Sequence, residues 1–169
     1  MKSILRTAAA GVAIASLGFA SSASAVTATA NAEAEILAAL TLTVQAGDDL
    51  LDFGLIADNG AGGTVDVLPG SNVPTCAGGL VCSGAGASPN FDLVGEPGLS
   101  VGISFTDPTP DLDDGSGNLM NYALTSSSNS LFLDGAGDGT FDVGGTLTVG
   151  AGQPAGVYTG TFEVVAVYN

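Results

Sequence analysis

The chain has 169 residues, with 17 Asp and Glu against 2 Lys and Arg, no His, and a formal net charge of −15. So acidic a chain is repelled by nucleic acid and by anionic membrane surfaces, which excludes nucleic acid as a partner. With no His, and with its basic residues confined to Lys2 and Arg6, little remains for acid–base or nucleophilic catalysis beyond paired carboxylates, so no enzyme is expected. A glycosidase-like pair would also lack tryptophan to stack on a sugar, since the chain has none.

Residues 1–25 place Lys2 and Arg6 before an apolar run from Ala8 to Ala20, then Ser21-Ser22-Ala23-Ser24-Ala25. This reads as a secretory signal with a small-residue cleavage site. No later segment reaches the roughly 18 apolar residues of a spanning helix, so no transmembrane anchor is expected. Removing the signal leaves 144 residues (169 − 25) and takes away two positive charges, so the net charge becomes −17. Without cations, the carboxylates must be solvated, bonded to backbone amides or neutralised by ions, and they are expected at turns and strand edges.

From Val26 to Val44 every even position is apolar: Ala28, Ala30, Ala32, Ala34, Ile36, Ala38, Leu40, Leu42 and Val44. The odd positions are Thr, Asn and Glu, broken by Leu37 and Ala39. Alternation this long exceeds a single ordinary strand. It reads as two strands in tandem: residues 26–37 as a projecting extension, and a second strand, about 38–45, opening a domain over 38–169. Alanine, glutamate and leucine also leave a helix over Ala30–Leu42 open as an alternative.

Further strands are expected at Leu50–Ile56 and Thr64–Leu68, separated by a glycine loop at Asn59–Gly63. Cys76 and Cys82 enclose a short loop, and in an exported chain they pair as a disulfide contributing roughly 2 kcal/mol. A metal site is the weaker reading, because no further Cys and no His completes it. Asn90–Val94 and Leu99–Phe105, around Gly95-Glu96-Pro97-Gly98, read as a hairpin. Leu119–Thr125, Leu131–Leu133 and Thr140–Val149 follow.

The stretch Gly156–Asn169 reads as one long strand, with Tyr158, Phe162, Val164, Ala166 and Tyr168 on one face and Thr159, Thr161 and Glu163 on the other. With 26 glycines and many turn residues between short apolar runs, the class is all-β, a Greek-key β-sandwich of about nine or ten strands. The acidic loop with Asp107, Asp111, Asp113 and Asp114 could wrap calcium, as could Asp134 and Asp138. It lacks the helix-loop-helix spacing, and solvated turn carboxylates are the plainer reading.

Several motifs together resemble a family of exported bacterial proteins, the domain of unknown function 4402. They are Leu51-Asp52-Phe53-Gly54, Cys76 with Gly78-Gly79-Leu80 and Cys82, Gly95-Glu96-Pro97-Gly98, Gly115-Ser116-Gly117-Asn118 with Met120, Val143-Gly144-Gly145-Thr146-Leu147, and Ala155-Gly156-Val157-Tyr158-Thr159-Gly160. The penultimate Tyr168, with Gly156 fourteenth from the end, also looks like a chaperone-usher pilus subunit.

That resemblance implies an immunoglobulin-like sandwich left incomplete and completed by a donor strand. Its acceptor groove and chaperone-binding strand would be Gly156, Tyr158, Gly160, Phe162, Val164, Ala166 and Tyr168, with the glycines leaving room for close approach. The donor would be Ala28, Ala30, Ala32, Ala34 and Ile36 of another copy, or a register that includes Leu40 and Leu42. The implied partners are copies of itself or related subunits, a periplasmic chaperone and an outer-membrane usher. The implied place is a surface fimbria of a Gram-negative bacterium, serving adhesion or biofilm as a shaft or minor subunit. The alternative is a monomeric secreted sandwich that binds a surface ligand or calcium.

Overall fold

The computed structural model describes residues 26–169, and the signal read at 1–25 lies outside the described residues. Residues 26–40 carry no regular structure, so the helix over Ala30–Leu42 does not form, and the compact unit begins at Ile36. Ten strands follow: β1 (Thr41–Val44), β2 (Leu55–Val67), β3 (Thr75–Ser83), β4 (Asn90–Val94), β5 (Ser100–Phe105), β6 (Asp111–Asp113), β7 (Leu119–Ser126), β8 (Ser130–Phe132), β9 (Asp138–Val149) and β10 (Val164–Tyr168). The class is all-β, as the turn-rich composition requires.

Two antiparallel sheets form the sandwich. A seven-stranded sheet runs β1-β4-β9-β2-β3, with β7 on β9 and β6 on β7, and a three-stranded sheet runs β10-β5-β8. Strand β9 is the hub, since it pairs with β4 over Asp138–Asp142, with β7 over Val143–Leu147 and with β2 over Gly145–Val149. Two clusters form the core. One gathers Phe53, Val65, Val67, Leu80, Met120, Tyr122, Leu147 and Val149; the other gathers Phe91, Leu93, Val101, Ile103, Leu133, Phe141 and Val143. Each large side chain so buried contributes about 1.5–3 kcal/mol. Phe91 stacks on Phe141 at 5.2 Å between ring centroids, and Phe162 lies 6.4 Å from Phe91, touching both clusters.

The glycine loop and the cysteine loop are not loops but parts of β2 and β3. Their ladder has two pieces, Leu55–Asp58 on Leu80–Ser83 and Gly63–Asp66 on Thr75–Gly78, with the register shifting between them. Cys76 and Cys82 are bonded, with Cα atoms 5.6 Å apart at a sequence separation of 6. Six steps of extended strand cover roughly 20 Å. The arm therefore doubles back on itself, and Gly62 and Gly78, at φ 71° and 78°, supply the left-handed backbone at the bend.

Strands β4 and β5 do not form the expected hairpin. Val94 pairs with Thr41 and Asp138 in the large sheet, while Ser100–Phe105 pairs with β10 and β8 in the small one. The turn at Gly95–Leu99 is thus a crossover between sheets, which a sequence of turn residues cannot distinguish from a hairpin. The final fourteen residues are also not one strand. Thr159 exchanges backbone hydrogen bonds with Asp113 of β6, whereas Val164–Tyr168 pairs with β5. One continuous strand cannot serve both sheets, so the chain leaves strand geometry at residues 160–163.

Candidate functional site

Alternation survives the break. Phe162, Val164, Ala166 and Tyr168 are half-buried and pack on the second cluster, while Glu163, Val165 and Val167 are exposed. Leu40 and Leu42, at the head of β1, are likewise half-buried against the same cluster. The β5 residues beside them, Val101 and Ile103, are 0% and 6% exposed. The core is therefore closed along β5 and partly open along the flank where β1 and β10 stand.

Both strands present an unpaired edge on that flank. Among the described residues β1 pairs only with β4, and β10 only with β5. Antiparallel ladders alternate, so residues that bond one neighbour are followed by residues whose N–H and C=O point away. Thr106 donates to the Glu163 carbonyl at 3.2 Å and Asn169 to the Ser100 carbonyl at 3.0 Å, which sets 163, 165, 167 and 169 toward β5. Val164, Ala166 and Tyr168 thus aim their backbone groups outward while their side chains face the core. The Gln45 N–H donates to the Asn90 carbonyl at 2.9 Å, and by the same parity Leu42 and Val44 of β1 aim theirs outward.

One end of this flank is tied. The Tyr168 hydroxyl accepts from the Glu96 N–H at 2.7 Å and donates to the Ala38 carbonyl at 3.0 Å. A Glu96 carboxylate oxygen in turn accepts from the Ala38 N–H at 2.9 Å. Both backbone groups of Ala38 are held, so the chain leading back to residue 26 departs from the Tyr168 end. Gly95 is the residue that permits it: an added Cβ would run into the Tyr168 hydroxyl and meet Leu133 at 3.0 Å and Leu40 at 3.1 Å. The motif Gly95-Glu96-Pro97-Gly98 was legible as a turn, but its grip on Ala38 was not, because Ala38 lies 58 residues from Glu96.

Other site residues fall as follows. Gly160 makes room for β6, since an added Cβ would meet the Asp111 carbonyl at 2.7 Å and Leu112 at 3.0 Å; Gly156 is exposed, with Asp114 at 3.6 Å. Tyr158 is half-buried on the first cluster, and its hydroxyl donates to the Pro154 carbonyl at 2.8 Å. Ala28, Ala30, Ala32, Ala34 and Ile36 are exposed and outside any strand, whereas Leu40 and Leu42 are committed to the domain's own core, which removes them from a donor segment.

The acidic loop uses its carboxylates internally. Asp114 accepts from the Asn118 side chain at 2.7 Å and from the N–H groups of Ser116 and Asn118 at 2.8 and 3.1 Å, bonds that hold its pKa below the usual carboxylate value. Asp113 accepts from the Gly115 N–H at 2.7 Å, Asp107 from the Thr109 N–H at 2.9 Å, and Asp111 from the Asn121 side chain at 3.3 Å. Asp134 is held low in the same way by the N–H groups of Asp138 and Ala136. Among the described residues no group of three acidic, His or Cys side chains converges to hold a metal.

Together these features define an antiparallel β-sandwich with one flank open between two edge strands. The chain belongs to the family described as domain of unknown function (DUF4402), whose model matches residues 40–168. That match begins at the head of β1, runs through β10 and leaves residues 26–39 outside it. No curated protein and no solved structure matches the chain. The disulfide fits a secreted or extracellular protein, and among the described residues no helix is long and apolar enough to cross a membrane.

Proposed function

We propose that the chain is a structural subunit of a surface fimbria, joined to its neighbour by donor-strand complementation. The observation that carries this reading is the open flank, where half-buried side chains and outward-facing backbone groups coincide at Val164, Ala166 and Tyr168. A strand laid there gains main-chain hydrogen bonds along the edge and sets alternate side chains into the open core. The alternating segment Ala28, Ala30, Ala32, Ala34 and Ile36 of another copy has the pattern for it. A periplasmic chaperone would cover the same edge before assembly, and an outer-membrane usher would exchange it for the donor.

Direction follows from the tie at Ala38. An incoming strand parallel to β10 would end, at Ile36, beside the acceptor's Tyr168, where the acceptor's own extension leaves. Two copies would then meet by the same end and growth would stop. Antiparallel entry brings the donor's body to the opposite end and leaves the acceptor's extension free for the next copy, an open head-to-tail contact. Alanine plugs contribute little area each, so backbone pairing carries much of the joint, with Ile36 worth about 1.5–3 kcal/mol if fully covered.

The test is a denaturing gel of surface-sheared or purified protein, unboiled against boiled. A ladder that collapses on boiling, and is lost when residues 26–36 are deleted, is the expected result. Monomer in every unboiled lane, from folded protein, would overturn the reading in favour of a monomeric binding module.

A further inference from the structure

We propose a specific register for the joint: residues 26–36 of one copy lie antiparallel to β10 of the next with Ala28 opposite Ala166, Ala30 opposite Val164 and Asn31 opposite Glu163. This rests on the donor-strand reading above and adds to it which residues meet. Only shifts by two keep the apolar positions facing the core, because a shift by one turns every side chain over. Three constraints then choose among the remaining registers.

The first is charge. Glu163 is exposed on the outward face of the acceptor, and the donor's outward residues include Glu33 and Glu35. Sliding the donor by two residues, to put Ala30 opposite Ala166, sets Glu33 directly against Glu163. Sliding it by four sets Glu35 there. Like charges directly opposed on a ladder are destabilising, and residues 26–169 contain no Lys, Arg or His to relieve them. In the proposed register Glu163 faces the neutral amide of Asn31.

The second constraint is the tie at Ala38. Sliding the donor by six removes the carboxylate clash but puts Ile36 opposite Val164, only two residues from Ala38, which is held inside its own domain by Glu96 and Tyr168, so that the donor's domain would be drawn against the end of β10. The third is coverage. Sliding two residues the other way leaves the outward N–H and C=O of Tyr168 to be met by Ser24, which belongs to the segment read as the signal. The proposed register meets Tyr168 with Val26 and satisfies all three.

Cysteine pairs read the register directly. Opposed residues on a hydrogen-bonded pair have Cα atoms about 5.5 Å apart, inside the range of about 4.4–6.8 Å for a disulfide, while diagonal neighbours at about 7–8 Å fall outside it. The exported protein would carry Ala166→Cys together with Ala28→Cys, Ala30→Cys or Ala32→Cys, and be oxidised and boiled without reductant. A boiling-resistant ladder from A28C with A166C alone, dispersed by dithiothreitol, is the expected result. A covalent ladder from A30C or A32C, or from none of the three while the parent protein shows its boiling-sensitive ladder, overturns the register and leaves donor-strand exchange standing. A parent without that ladder overturns donor-strand exchange itself.

Discussion

The Tyr168 hydroxyl donates to the carbonyl of Ala38, 130 residues away, at 3.0 Å, and so ties the end of the last strand to the root of the first. The same oxygen accepts from the Glu96 N–H, so three segments meet on one phenol. Tyr168→Phe removes both bonds and leaves the ring. The expected loss is about 0.5–1.5 kcal/mol per bond at most, read as a lower urea midpoint with an unchanged slope. A midpoint equal to the parent's would mean that water replaces the hydroxyl without loss.

Gly95 is coupled to that phenol. A methyl group at 95 points at the Tyr168 hydroxyl and presses on Leu133 and Leu40, an overpacking that costs about 1–3 kcal/mol. In Gly95→Ala the loss should therefore be of the same size as that of Tyr168→Phe. The double variant should lose less than the sum, because the phenylalanine no longer carries the oxygen the methyl strikes. Strict additivity in urea titrations would show that the clash lies with the leucines instead.

The all-β class, the disulfide and the inward face of residues 162–168 were legible because each rests on local signals: turn residues, an isolated cysteine pair and alternation. What was hidden is non-local. Gly95-Glu96-Pro97-Gly98 reads as a hairpin turn, yet whether β4 and β5 pair is decided by better partners elsewhere, β9 for one and β10 for the other. The stretch Gly156–Asn169 alternates throughout, but β6 takes Thr159, and no residue within the stretch announces that competitor. Cys76 and Cys82 read as enclosing a short loop, whereas the residues between them lie within a bent strand. The open flank was therefore half visible: its β10 side by pattern, its β1 side only once Leu40 and Leu42 were seen packed against the cluster of Phe91 and Ile103.

The bent arm should depend on its cross-link. Cys76 and Cys82 are half-buried against the first cluster and close a small loop, so Cys76→Ser with Cys82→Ser should cost roughly 2 kcal/mol on the chain-entropy estimate. Dithiothreitol should lower the melting temperature of the parent and leave the double variant unchanged. Equal melting temperatures for the parent and the variant under oxidising conditions would assign the bend to its glycines and to pairing between β2 and β3 alone.

The turn at Asp114 makes a pH prediction whose sign follows from its bonds. The Asn118 side chain and the Ser116 N–H favour the ionised carboxylate, so the folded pKa lies below the ordinary 3.8. A group depressed on folding stabilises the fold above its unfolded pKa, and that contribution disappears as pH falls through the folded value. The parent should therefore melt above Asp114→Ala by a constant margin from neutral pH to about 5, and the margin should shrink as the pH drops below about 4. Asp134, bonded by the N–H groups of Asp138 and Ala136, should behave alike in Asp134→Ala. Asp134 is exposed and Asp114 only half-buried at the surface, so the margins will be small and must be read as differences between paired melts in one buffer series. A margin as wide at pH 3 as at pH 7 would mean that shape, not charge, is what Asp114 contributes to its turn.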